Sequence, residues 1–233
     1  MRHSLLATVL AFSALSSTAQ AQKTPVVVEL YTSQGCSSCP PADEMLAELS
    51  QRDDVIALAL HVDYWDYIGW ADEFADPRHT RRQQEYARAA GDRTIYTPQF
   101  VIEGQDIVIG ARAMQVAELV QSYQDIVHPV DVALSRTDAA LKIGLSLQDD
   151  SEAGPYVVQL AQVKKDQTVD IRRGENAGQT ITYSNVVKTL DVIAEWDGAA
   201  PLNLDADVPD DVSLAVIVQQ GVNGPVVGAA QLD

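Results

Sequence analysis

PVVVELYTSQGCSSCPPADEMLAEL, residues Pro25 to Leu49, holds the only two cysteines of a 233-residue chain. Pro25 to Thr32 is a continuous run rich in valine, the pattern of a strand buried on both faces. Cys36 and Cys39 follow it at once. Ala42 to Leu49 then places Met45, Leu46 and Leu49 at helical spacing, with acids in the first turn where the helix dipole favours them. Pro40 and Pro41 lack helix donors, so regular helix is expected only after Pro41. Asp54 to Asp63 reads as a second buried strand, and β-α-β implies a right-handed parallel crossover.

Further along, Tyr64 to Phe74 carries five of the chain's fourteen aromatic residues. Asp76-Pro77 has the cap and first-turn residues of a polar helix that Gly91 ends. Gln99 to Glu103 and Asp106 to Gly110 predict two strands, and Arg112 to Tyr123 a helix burying Met114, Val116, Leu119 and Val120. The element order is β-α-β-α-β-β-α. From Pro129 the texture changes to alternation, as in Leu141, Ile143, Leu145 and Leu147, with turn signals such as Gly174 to Gly178 between runs. About seven short strands are expected there, as a sandwich or open barrel. The expected division is residues 22–128 as an α/β domain and 129–233 as an all-β, sandwich-like domain.

Arg2 and His3 precede an apolar run from Leu5 to Leu15 and a small-x-small site at Ala19-Gln20-Ala21. This predicts a signal peptide over residues 1–21 and a periplasmic or secreted protein, in an oxidising compartment. With 33 acidic and 16 basic residues, the surface repels phosphate backbones and anionic lipid heads. Neither nucleic acid nor stable membrane insertion is expected.

Two thiols between a buried strand and a helix sit where free N–H groups stabilise a thiolate. Cys36 is then the nucleophile, and Cys39 resolves its mixed disulfides. As a staple, a bridge around two residues removes little unfolded-state entropy. Zinc needs two more ligands, and only His61, His79 and His128 are available after residue 21. A dithiol alone would suit a soft ion such as Cu(I). Neither a resident cofactor nor a structural metal is expected.

The strand, CSSC, helix and strand, with Tyr96-Thr97-Pro98 opening a later strand, resemble the thioredoxin superfamily over residues 26–125. That resemblance implies a cis-proline at Pro98 facing the dithiol, and a Thr97 backbone that binds substrate peptide. Ser37-Ser38 matches neither the reducing nor the strongly oxidising members, so the direction of reaction stays open. His61 to Trp70, Arg173 to Gly178 and Asn185 to Val187 resemble a secreted bacterial family of unknown function with a thioredoxin-like half and a β-rich half.

His61 and Asp63 share one side of a strand near its carboxyl end, which suggests either a proton relay or a histidine held under the aromatic loop. Trp65 and Trp70 are candidates for gripping peptide, or for docking the second half. Arg78, Arg81, Arg82 and Arg88 read as solvated counter-charges. Glu175 and Asn176 lie in a turn needing positive φ, with a lesser reading in which they reach the dithiol. The leading expectation is a thiol–disulfide oxidoreductase acting on protein or peptide thiols with an unidentified redox partner. The alternatives are a soft-metal binder and a non-catalytic interaction protein.

Overall fold

The computed structural model describes residues 24–137, 140–148 and 151–233, so the expected signal peptide lies outside the described residues. Every residue of β1 (Val26–Thr32) and β2 (Val55–His61) is buried. Backbone groups so covered must pair sideways, and they do so in parallel, from Val26 opposite Val55 to Thr32 opposite His61. Helix α1 (Pro40–Leu49) makes the crossover. β3 (Gln99–Ile102) lies antiparallel against β1, and β4 (Asp106–Ile109) against β3. α1 and α3 (Ala113–Tyr123) cover one face through Leu46, Leu49, Val116 and Val120, while α2 (Pro77–Ala89) covers the other through Tyr86.

Two expectations about helices change. α1 begins at Pro40 with Cys39 as its N-cap, because prolines at the first two helical positions lose only N–H groups that have no helical partner. Met114 is 76% exposed and is no part of the core, since α3 turns only Val116 and Val120 fully inward.

Residues 130–232 supply nine strands among the described residues: β5 (Val130–Arg136), β6 (Leu141–Leu147), β7 (Tyr156–Lys164), β8 (Gln167–Asp170), β9 (Thr180–Tyr183), β10 (Val186–Trp196), β11 (Leu202–Ala206), β12 (Ser213–Gln220) and β13 (Val226–Leu232). Four of them continue the first sheet, giving one eight-stranded sheet in the order β13-β12-β7-β10-β2-β1-β3-β4. The change of texture at His128-Pro129 therefore falls within a shared sheet. β11-β6-β5 forms a second sheet, packed on the first through Leu141, Ile143 and Leu145 against Val158, Val216 and Val218. β8 and β9 make a separate hairpin.

At the seam, β10 meets β2 in parallel with Val186 opposite Ala59. Asn185, at φ +52°, accepts the Ala59 N–H at 2.9 Å and donates its side-chain amide to the Ala57 carbonyl at 3.0 Å. Asparagine tolerates this left-handed conformation better than most residues.

Arg82 overturns the reading of its helix as uniformly solvated. Arg78, Arg81 and Arg88 are exposed, but Arg82 is buried and donates to both Glu29 carboxylate oxygens at 2.7 and 2.8 Å. It also donates to Gln159 at 2.8 Å and to Asn223 and Gln219 at 3.0 Å, which joins α2 to β7 and β12. Burial alone would raise the Glu29 pKa, but the Arg82 charge and hydrogen bonds from Arg82, Tyr31 and Tyr86 bring it below the ordinary value. Removing one member of a buried pair strands the other, so Arg82→Met should cost roughly 3 to 5 kcal/mol. Urea unfolding should show that loss, and Glu29→Gln added to Arg82→Met should recover part of it. An Arg82→Met protein as stable as the parent would contradict this account.

Candidate functional site

The chain leaves β1 through Ser33 and Gln34, turns at Gly35, and reaches Cys36 before α1 begins. Cys36 and Cys39 are joined as a disulfide with Cα atoms 5.4 Å apart. Cys36 N–H donates to the Ser33 carbonyl and Cys39 N–H to the Cys36 carbonyl, both at 3.1 Å, so the bridge spans a tight turn. Gly35 has a packing reason as well: a Cβ there would lie 3.2 Å from the Trp65 Cβ. Trp65 reaches across and donates from Nε1 to Thr97 Oγ1 at 2.6 Å, beside the cis Thr97–Pro98 peptide. Trp65 thus lies against the cysteine turn at Gly35 and ties Thr97, the residue before Pro98, to it.

Trp70 has a different setting. It packs with Phe74 against Val169, Ile171, Tyr183 and Val186 of the C-terminal half, and its Nε1 donates to Gln34 Oε1 at 2.7 Å. The aromatic loop therefore divides its work: Trp70 and Phe74 join the two halves, Trp65 lies against the cysteine turn, and Tyr67 stands 81% exposed.

Below the bridge is a buried polar cluster. Asp43, in the first turn of α1, donates its backbone N–H to the Cys39 carbonyl at 3.1 Å and accepts from Thr32 Oγ1 at 2.7 Å. Its Oδ2 has no hydrogen-bond partner. Burial pushes the Asp43 pKa up to about 7; His61 and the Thr32 hydrogen bond hold it back, while Asp72 and Glu44 push with burial. His61 is fully buried and donates from Nδ1 to Asp72 Oδ2 at 2.7 Å, which leaves its Nε2 without a partner. The same Asp72 oxygen accepts the Gln34 N–H at 2.8 Å. Tyr183 of β9 stacks edge-on against His61 at 4.8 Å, and its unpartnered hydroxyl has a pKa raised by burial, Asp43 and Asp72.

Sequence reasoning paired His61 with Asp63, whereas Asp63 accepts from Thr80 Oγ1 at 2.6 Å and His61 turns to Asp72. The strand ends at His61, so two-residue alternation no longer governs Asp63. Asp43 and Asp72 were missed as site residues. The acid one turn after Cys39 was a signal for Asp43, but Asp72 comes from a loop whose path sequence does not fix.

The C-terminal half completes the site. Asn176, 2% exposed, donates its amide to the Gln34 and Cys36 carbonyls, each at 3.0 Å. Glu175 accepts from Ser37 Oγ at 2.6 Å. Beneath this loop Cys36 is 2% exposed and Cys39 is fully buried. Among the described residues, no group of three or more His, Cys, Asp or Glu is placed to hold a metal ion.

Because Asp43 holds its proton in the fold up to about pH 7, and an unfolded aspartate releases it near pH 3.9, stability should fall as pH rises between those values and stay low above pH 7. Asp43→Asn should remove this slope and stabilise the oxidised protein at pH 8 by up to roughly 4 kcal/mol. Urea unfolding at pH 5 and pH 8 checks it; parallel pH slopes in both proteins would refute the assignment.

Comparison with curated proteins gives no match. Among solved structures, a crystal structure of a protein from Agrobacterium tumefaciens is 33% identical, with a TM-score of 0.77 over 91% of this chain and 96% of that one. HBP35 of Porphyromonas gingivalis is 18% identical, with a TM-score of 0.66 over 90% of this chain and 75% of that one, a likeness of fold. A family model described as protein of unknown function (DUF1223) matches residues 27–219, the span that holds the cysteine turn, the buried acids and the covering loop, and the chain belongs to that family.

Proposed function

We propose that this chain is a thiol–disulfide oxidoreductase with a thioredoxin-like unit over residues 26–125, acting on protein or peptide thiols outside the cytoplasm. The observation that carries the reading is the Cys36–Cys39 bridge, with a buried carboxyl of pKa about 7 one turn along α1 from Cys39. A purely structural staple has no need of a buried acid that titrates near neutrality, whereas exchange must supply a proton to one sulfur and remove it again. The element order and the sheet order β2-β1-β3-β4 support the thioredoxin-like reading. The leader-like residues 1–21 and the disulfide support an extracytoplasmic location.

In the exchange, a substrate thiolate attacks Cys36 Sγ, a substrate–Cys36 disulfide forms, and the Cys36–Cys39 bond breaks. Cys39 leaves with the electron pair and takes a proton from Asp43, whose side chain Thr32 holds in place. A second substrate thiol, as thiolate, then attacks the substrate sulfur of the mixed disulfide. Substrate departs oxidised, Cys36 departs as thiolate, and the protein has gained two electrons. The reverse sequence oxidises the protein dithiol at the expense of a substrate disulfide.

Cys39→Ser should leave adducts on Cys36 unresolved, so mixed disulfides with partner proteins should accumulate on non-reducing gels and vanish with Cys36→Ser added. In the reduced wild type, Cys36 should be alkylated at pH 7 at least about tenfold faster than Cys39. Equal alkylation rates together with the absence of Cys36-dependent adducts would sink the proposal.

A further inference from the structure

Thiol exchange needs an attacking sulfur in line with the S–S bond, yet the bridge is closed off on all sides: Cys36 is 2% exposed and Cys39 not at all. Part of the cover is the tip of the β8–β9 hairpin, which pairs with neither of the larger sheets. The tip is tied back across the cysteine turn. Asn176 donates to the carbonyls of Gln34 and Cys36, and Glu175 accepts from Ser37. Gly174 and Gly178, at φ +76° and +87°, bracket these two residues. Both glycines occupy a conformation that side-chain-bearing residues rarely adopt.

Lifting the tip would take the Asn176 hydrogen bond from both carbonyls, and the Cys36 carbonyl would keep the Cys39 N–H. An extended polypeptide, with an N–H group at every residue and side-chain amides besides, can replace these hydrogen bonds. A small thiol has few donors and none spaced along an extended backbone. Two exposed aromatic side chains are sequence neighbours of residues around the turn: Tyr67, at 81% exposure, adjoins Ile68, whose Cδ1 would lie 3.3 Å from a Cβ on Gly35, and Tyr96, at 44%, adjoins Thr97. We infer that residues 174–178 are a specificity latch, which shields the Cys36–Cys39 bridge from small thiols and yields to an extended polypeptide that donates to the Gln34 and Cys36 carbonyls in place of Asn176. The selectivity rests on the oxidoreductase reading above; the shielding does not.

The experiment compares the oxidised full-length protein with Glu175→Gln/Asn176→Ala, and with Ser37→Ala, which loosens the latch from the opposite side without altering the loop. Three reductants are used: a water-soluble trialkylphosphine, dithiothreitol and a reduced, unfolded polypeptide dithiol. The phosphine attacks one sulfur and leaves as its oxide with oxygen from water, giving two thiols without thiol exchange. The phosphine and dithiothreitol rates should rise at least tenfold in the double variant and in the same direction in Ser37→Ala. The polypeptide rate should stay level or fall, so the preference for polypeptide drops at least tenfold. Phosphine rates unchanged in both variants overturn the latch. Dithiothreitol and polypeptide rates that rise together overturn the selectivity and leave a passive cover. A gain with phosphine while neither thiol reacts in any protein overturns the oxidoreductase reading, and the selectivity with it.

Discussion

The ion pair between Glu29 and Arg82 ties the molecule together at its centre. Glu29 is fully buried in β1, the middle of the N-terminal strands, and a lone carboxylate there would be too costly to keep ionised. Arg82 answers it from α2 and spends its remaining donors on Gln159, Gln219, Asn223 and Tyr86. The first of these lies in β7 and the second in β12, so neutralising one buried charge also fixes where the C-terminal strands sit. With that position set, β10 can meet β2, and the β8–β9 hairpin is carried over the carboxyl end of β1, where the cysteine turn begins.

The candidate site is consequently made by both halves. β1, α1 and β2 supply Thr32, the two cysteines, Asp43 and His61, while β9 supplies Tyr183 and the loop before it supplies Glu175 and Asn176. Asp72 links the layers, because one of its oxygens accepts from His61 below and from the Gln34 backbone above. Any movement of the cysteine turn is therefore felt by the buried histidine through a single carboxylate.

How much of this the sequence disclosed follows from the range of the interactions. Local signals served well: the buried runs of β1 and β2, the Asp76 cap whose side chain accepts the Arg78 N–H, and the adjacency of Cys36, Cys39 and α1. Helix spacing could not tell Arg82 from Arg81, because which arginine faces the sheet depends on an acid 53 residues away. Asp72 and Tyr183 were illegible for the same reason: a loop and a short hairpin strand have no periodicity that says what they approach. The change to alternating strands after Pro129 was visible, but alternation reports one solvated face and is silent about which strand edge lies alongside. Hence the shared sheet could not be read from texture.

That shared sheet has a consequence for the making of the protein. β2 is buried on both faces, and one of its edges is closed by β10, which the ribosome delivers more than a hundred residues later. During that interval the nascent N-terminal half carries an apolar strand with one row of backbone donors and acceptors open, the feature that folded proteins hide to avoid edge-to-edge association. A chain cut at residue 128 would present it permanently, and such a fragment should self-associate where the whole protein stays dispersed. Asn185, by occupying the Ala57 carbonyl and the Ala59 N–H together, covers part of that edge where β10 meets it at Ala59.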